Sequence, residues 1–163
     1  MNLSQAIGFT EDDLIANRAG KISEMQDYEL RVARRRVVFV NVLILITVVL
    51  IVSVMIYAGN SILMLIAIGV LICYPILSFQ AVKYWLRLTQ DIRAGEVEAT
   101  TGTLERVIKP ITRRVFNYMI RVNTVEVFVS KELFDALEHQ TTYTLYRAPN
   151  TGKLLSMEHG SST

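Results

Sequence analysis

The chain has 163 residues, a formal net charge of +2 and 52% hydrophobic side chains. Outside an uncharged centre the charges nearly balance, with six basic and six acidic residues in 1–36 and eleven and nine in 83–163. This balance lacks the basic density that is typical of nucleic-acid binding, so we expect no nucleic-acid partner. The single cysteine, Cys73, excludes a disulfide framework.

Residues 1–36 are predicted to form an N-terminal cytoplasmic segment of amphipathic helices. Thr10 with Asp13 has the spacing of a capping box, which predicts a short helix over residues 11–18 that Gly20 ends. We expect the apolar residues of this segment to bury the short helix against the helix that follows, namely Phe9, Leu14, Ile15, Ile22, Met25 and Leu30. Two interpretations stay open, a collar at the bilayer surface or a docking helix for a second chain.

Ser23 with Gln26 repeats the capping pattern and predicts one continuous helix over residues 24–58. Residues 37–82 contain no charged side chain, and a short polar break at 57–61 divides them in two. The first half would span roughly 31 Å as a helix, against a hydrocarbon core of about 30 Å. The sequence therefore predicts a transmembrane helical hairpin over 37–82.

The positions of the basic residues predict the orientation of this hairpin. They flank it on both sides, as Arg31, Arg34, Arg35 and Arg36 before it and Lys83, Arg87 and Arg93 after it, whereas the connecting turn has none. Under the positive-inside rule both termini are cytoplasmic. We expect a multi-pass membrane protein in which Arg34, Arg35 and Arg36 contact lipid or a partner.

Three residues inside the apolar stretch are candidates for helix–helix contact. Asn41 lies about one turn inside the cytoplasmic boundary, where its amide requires a hydrogen-bond partner. The small side chains of Gly69 and Cys73 lie four residues apart, a spacing that permits close helix approach. The contact could form within the hairpin or between subunits.

Beyond a helical connector over 83–94, residues 95–159 show the pattern of a small β domain, followed by a disordered tail over 160–163. The predicted elements are strands at 96–108, 115–122, 125–129, 142–147 and 154–157, with a helix at 130–138 after the third strand. Gly102 is predicted to mark a bend or bulge in the first strand. This order is that of a five-stranded OB-like barrel, with an SH3-like barrel as the alternative.

Two local features of this domain carry further expectations. In the third strand Val127 and Val129 are predicted core residues and Phe128 is predicted to point outward. The strand is also predicted to turn at Lys109, and the following loop carries two more cations, Arg113 and Arg114. This loop is either solvated or in contact with anionic headgroups or an acidic partner.

No motif in the chain predicts chemistry. His139 and His159 are far apart and lack carboxylate or thiol neighbours at ligand spacing, and the sequence has no phosphate-binding loop or nucleophile elbow. We therefore expect no catalytic, cofactor or metal site and no enzyme activity.

Two stretches resemble segments of uncharacterised bacterial membrane proteins with two transmembrane helices and a small C-terminal β-barrel. The residues that carry the resemblance are Asp13, Leu14, Asn17, Arg18, Gly20, Ser23 and Gln26, and then Tyr143, Leu145, Tyr146, Pro149, Leu154, Leu155, Ser156 and Glu158. With the hairpin they cover nearly the whole chain. This resemblance implies a location in the bacterial cytoplasmic (inner) membrane, but it implies no activity. In topology the chain also resembles the NfeD proteins, which are partners of stomatin-like membrane proteins.

These observations favour a non-catalytic scaffold or accessory subunit that binds protein partners through its cytoplasmic barrel and N-terminal helices. The alternative is a small homo-oligomeric channel or transporter component with a cytoplasmic vestibule. Membrane lipid, protein partners and further copies of the chain are therefore the expected contacts.

Overall fold

The structure, a computed structural model, describes residues 3–112 and 115–160 and has an α+β architecture. Its elements are α1 (Leu3–Ile7), α2 (Glu11–Arg18), α3 (Glu24–Tyr57), α4 (Ser61–Ala94), β1 (Glu98–Thr112), β2 (Val115–Val122), β3 (Val125–Phe128), α5 (Lys131–Ala136), β4 (Thr142–Arg147) and β5 (Leu154–His159). The chain divides into two compact units. The sheet unit contains the residues up to Asp27 and those from Ala94 onward, and the helical unit is Tyr28–Arg93.

The five strands form one antiparallel sheet in the order β3-β2-β1-β4-β5. The long strand β1 lies in the middle, where residues 98–103 pair with β4 and residues 104–112 pair with β2. Closing a barrel would require the edge strands β3 and β5 to pair, and within the described residues they do not. The sheet is therefore open, and the expected OB-like or SH3-like barrel is not seen.

The turn predicted in β1 was wrong, and of the bend or bulge predicted at Gly102 the described pairing with β4 shows no bulge. The strand does not turn at Lys109 but continues to Thr112, with an irregularity between Pro110 and Thr112. Gly102 is required by a close approach rather than by a bulge, because a Cβ there would lie 2.4 Å from the side-chain oxygen of Asn123. The Asn123 amide donates a 2.8 Å hydrogen bond to the Thr101 carbonyl, which holds it in that place.

The core lies on one face of the sheet, where α5 covers it. Its buried residues are Leu104, Ile120, Val122, Val125, Val127, Leu133, Phe134, Leu137, Tyr143, Leu145 and Met157, and Val129 packs against them. In β3 the side chains alternate, so that Val127 is buried while Phe128 is 67% exposed. The outward position predicted for Phe128 is confirmed.

The N-terminal helices belong to the sheet unit. From α1, Ala6 and Ile7 pack against the core, while α2 is hydrogen-bonded to β5. A helix on an edge strand covers backbone groups that would otherwise be open to another chain. The expected burial of α2 by apolar residues was wrong, because its buried residues are Asp13 and Asn17 and Ile15 is exposed. The helix α1 was not predicted from the sequence.

In the helical unit, α3 and α4 are each long and apolar enough to cross a membrane. A tight turn joins them, with Gly59 at a φ of +66°. Among the described side chains of residues 37–82, only Val52 and Ala67 are buried. Nearly all of the apolar surface of these helices therefore faces away from the chain itself.

The helix predicted to continue over 83–94 is confirmed, because α4 runs without a break to Ala94. At the C-terminus, the Gly160 amide donates a 2.9 Å hydrogen bond to the Thr142 carbonyl, so the predicted tail starts one residue too early. Residues 161–163 of that tail lie outside the described residues.

Candidate functional site

A connected group of hydrogen-bonded residues joins the N-terminal segment to β4 and β5. We call it the polar clamp, and its members are Thr10, Asp13, Asn17, Arg18, Ser23, Gln26, Tyr146, Leu155, Ser156 and Glu158. Side chains from positions some 140 residues apart in the sequence meet in it.

Asp13 fixes the starts of two helices. Its carboxylate accepts a 2.8 Å hydrogen bond from the backbone amide of Thr10 and a second one from the Ser23 hydroxyl. The Ser23 hydroxyl in turn accepts a 3.2 Å bond from the backbone amide of Gln26. Both capping boxes that the sequence predicts are thus confirmed. Burial by itself would raise the pKa of Asp13, but the hydrogen bonds from Ser23 and Thr10 outweigh it and lower that pKa.

Asn17 and Gln26 hold the N-terminal segment against β5. The Asn17 amide donates a 2.6 Å hydrogen bond to the Ser156 hydroxyl, and the two side chains are 1% and 0% exposed. The side-chain amide of Gln26 donates a 3.2 Å hydrogen bond to the backbone carbonyl of Leu155, where the register between β4 and β5 shifts. These two side-chain amides therefore bond one side-chain and one backbone group of the edge strand β5.

Arg18, Glu158 and Tyr146 form the outer part of the clamp. Arg18 Nε donates to Glu158 Oε2 at 3.0 Å, and the Tyr146 hydroxyl donates to Glu158 Oε1 at 2.7 Å. The Arg18 hydrogen bond lowers the pKa of Glu158, whereas burial, together with the Glu158 carboxylate, raises the pKa of Tyr146 to about 12. The carboxylate is thereby held ionised near neutral pH, as a structural ion pair.

Backbone hydrogen bonds complete the junction. The Ile22 amide donates to the Gly95 carbonyl and the Val97 amide donates to the Gly20 carbonyl, both at 3.0 Å, around a bridge between Lys21 and Glu96. The segment that precedes α3 is thus paired with the segment that follows α4. The chain therefore leaves the sheet unit to enter the helical unit and returns to the sheet unit at the same junction.

A second feature of the sheet unit is an extension of β1 and β2 past the other strands. We call residues 108–112 and 115–117 the hairpin arm, because β3 pairs with β2 only from Met119 onward. Ile108 pairs with Tyr118, and Phe116 pairs with Pro110, which places Ile108 and Phe116 diagonally on one face of the arm. They are 52% and 48% exposed.

The structure accounts for one of the three cations predicted near this arm. Lys109 Nζ lies 3.2 Å from the carboxylate of Glu126, which also pairs with Arg121. Lys109 is therefore part of an exposed network of charges on the opposite face of the sheet. Arg113 and Arg114 lie outside the described residues.

The helical unit contains a groove between α3 and α4. One stretch has a volume of about 460 Å³ and is lined by Val40, Asn41, Ile44, Val48, Val70, Cys73, Tyr74, Ser78 and Ala81. A second stretch adjoins the first and shares four lining residues with it, namely Asn41, Tyr74, Ser78 and Ala81. A third stretch, which Arg34 and Arg35 line, shares Val38, Val42 and Trp85 with the second.

The residues predicted for helix–helix contact divide between the groove and the outer surface. The Asn41 amide donates a 2.9 Å hydrogen bond to the Val37 carbonyl of its own helix while lining the groove. Cys73 also lines the groove, but a Cβ at Gly69 would meet nothing within 4 Å. Within the described residues nothing therefore packs against the Cβ position of Gly69, and its contact with another helix stays a prediction. Arg36 is exposed on α3 and does not line the groove.

Comparison of the chain with protein-family models, curated proteins and solved structures found no match. The family resemblance therefore stays a prediction. The polar clamp nevertheless contains residues from both stretches that carry that resemblance, including Asn17, Gln26, Ser156 and Glu158. The resemblance singled out these residues, but the sequence did not show that their side chains contact one another. Among the described residues, no three His, Cys, Asp or Glu side chains are grouped in a way that could hold a metal ion.

Proposed function

We propose that this protein is a non-catalytic scaffold or accessory subunit of the bacterial cytoplasmic membrane, which binds a protein partner through its sheet unit. The observation that carries the proposal is the pair of exposed apolar side chains, Ile108 and Phe116, on one face of the hairpin arm. The exposed side chains of Ile15 and Met25 on the N-terminal helices supply a second contact.

The arm has the properties of a surface that a partner covers. A two-stranded ribbon is marginally stable in water by itself, and a third strand supports β2 only beyond the arm. Burying a large apolar side chain is worth about 1.5–3 kcal/mol, so covering both Ile108 and Phe116 would stabilise a complex substantially. Contiguous apolar surface marks interaction sites, and these two side chains are diagonal neighbours on the arm.

The membrane part of the proposal rests on α3 and α4. Each is long and apolar enough to span, and the backbone pairing of Ile22 with Gly95 starts both from the same unit. Two spans that leave one folded unit must return to the same side of the membrane. The flanking arginines favour the cytoplasmic side.

Purification of the tagged full chain from membranes tests this proposal. We expect the affinity for a partner that co-purifies with the wild type to fall at least about tenfold in the double variant Ile108→Ser with Phe116→Ser. A loss of about 1.4 kcal/mol in binding free energy corresponds to that tenfold change. Phe128→Ser is the control, because Phe128 is also exposed, at 67%, but lies on the opposite face. Equal recovery with the arm variant and the control would contradict binding through the arm.

The groove between α3 and α4 favours a second candidate function, a homo-oligomeric channel or transporter component. Polar groups of Asn41, Tyr74 and Ser78 line it, and the hairpin leaves most of its surface available to other copies. Ion flux through proteoliposomes that contain only this protein, reduced by Asn41→Leu, would support a channel. Proteoliposomes as tight as empty ones would exclude it.

A further inference from the structure

We infer that the arginine-lined end of the groove between α3 and α4 is a binding site for one anionic glycerophospholipid. The inference rests on the proposed insertion of the two helices in a membrane. The phosphate would lie against Arg34 and Arg35, and one acyl chain would follow the groove toward Asn41 and Tyr74.

The lining of the groove changes from charged to apolar along its length, as a phospholipid does from its headgroup to its acyl chains. At one end Arg34 and Arg35 lie beside Trp85, and the wall continues through Val38 and Val42. Beyond these the linked stretches are lined mainly by apolar and small side chains as far as Val48. From Arg34 to Val48 the helix rises about 21 Å, which exceeds half of a hydrocarbon core of about 30 Å. One leaflet's lipid therefore fits between the charged and the apolar ends.

The charge of the site selects an anionic occupant. Within the described part of the chain, neither Arg34 nor Arg35 has an acidic partner. A guanidinium binds phosphate oxygens with two parallel hydrogen bonds, which suits a headgroup at the membrane boundary. A second copy of the chain in the groove would instead bring its own arginines to the same depth, where like charges repel.

Trp85 makes the site measurable in the intact protein, because it is the only tryptophan in the chain and it lines the groove. The full chain is purified in neutral detergent and titrated with phosphatidylglycerol or phosphatidylcholine that carries brominated acyl chains, and quenching of Trp85 fluorescence is recorded. We expect saturable quenching by phosphatidylglycerol at concentrations at which phosphatidylcholine has little effect.

Variants separate charge at the site from charge nearby. The double variant Arg34→Gln with Arg35→Gln should weaken phosphatidylglycerol binding by about thirtyfold, from roughly 1 kcal/mol for each cation. Arg36→Gln removes one neighbouring charge outside the groove and should change binding less than about twofold. Val42→Phe fills the groove without changing charge and should also abolish the quenching.

The outcomes distinguish this inference from the proposed function. Alkaline carbonate extraction of membranes is run on every variant, and a wild-type chain that it releases would overturn both the membrane proposal and the lipid site. If the chain stays inserted but both lipids quench equally, or Arg36→Gln is as damaging as the double variant, the lipid site alone is overturned.

Discussion

Asn17 and Ser156 are separated by 138 intervening residues and by both long helices, yet their side chains share a buried 2.6 Å hydrogen bond. This bond lies in the middle of the polar clamp. It makes the residues before α3 part of the same folded unit as the sheet. The chain is therefore organised as one domain interrupted by a helical hairpin, rather than as a tail, a hairpin and a domain in series.

The Asn17–Ser156 bond should contribute measurably to stability. Ser156→Ala leaves the buried Asn17 amide without its partner, which should lower the free energy of unfolding by about 1–3 kcal/mol. The control is Thr144→Ala, which removes an exposed hydrogen bond to Thr101 and should cost less than about 0.5 kcal/mol. Denaturant unfolding of the full chain in detergent measures both, and equal effects would contradict the importance of the buried bond.

Acid should weaken the clamp. The pKa of Glu158 is lowered in the folded state by the Arg18 hydrogen bond, so its contribution is present above the ordinary carboxyl pKa and is lost as the pH falls through the folded value. Between about pH 6 and about pH 3 the wild type should lose more stability than Glu158→Gln does. Asp13 has a lowered pKa as well, so the variant should keep part of the acid sensitivity. Identical pH profiles would contradict a stabilising ion pair.

The sheet unit should require both of its chain segments. Because Ile22 pairs with Gly95, replacing residues 28–93 by a flexible linker of about eight Gly and Ser residues should give a soluble, folded domain. The C-terminal residues alone, from 94 onward, should aggregate, since they would leave β5 and the core without α1 and α2. Circular dichroism and size-exclusion chromatography compare the two proteins, and a stable monomer from the C-terminal piece would contradict this account.

Gly102 should be replaceable only together with Asn123. Gly102→Ala places a methyl group on the Asn123 side chain and should cost about 1–2 kcal/mol of stability, as other overpacked sites do. Adding Asn123→Gly removes the obstacle and suits the positive φ of 54° at that position, so the double variant should recover most of the loss. A double variant that is no more stable than Gly102→Ala would show that Gly102 is needed for another reason.

Local patterns predicted most of the secondary structure. The bounds of α2, β2 and β4 agree with the expectations, and both capping boxes form, because short-range hydrogen bonds and side-chain alternation determine them. The turn predicted at Lys109 was wrong because Pro110 was read as a breaker, whereas it lies in the arm, opposite Phe116.

The candidate site was much less predictable, because its contacts join distant parts of the sequence. Asp13 and Asn17 occupy the buried side of α2, where an apolar pattern would be the usual signal. Arg18 lies at the end of α2, where nothing in the local sequence indicates its partner, and the structure pairs it with Glu158. The sequence did contain one signal. The helix α2 has few apolar residues for a buried face, and Asp13 and Asn17 lie four residues apart on one side of it, which indicates packing against polar partners.

Cysteine accessibility tests the central claim, that α3 and α4 cross the membrane and the sheet unit stays inside. In a Cys73→Ser background, Asn60→Cys is placed in the turn between the helices and Glu138→Cys on the exposed surface of the sheet unit. In intact cells a membrane-impermeant maleimide should label Asn60→Cys and not Glu138→Cys, and both should react after the membrane is permeabilised. Labelling of Glu138→Cys but not of Asn60→Cys in intact cells would contradict the account and place the sheet unit outside.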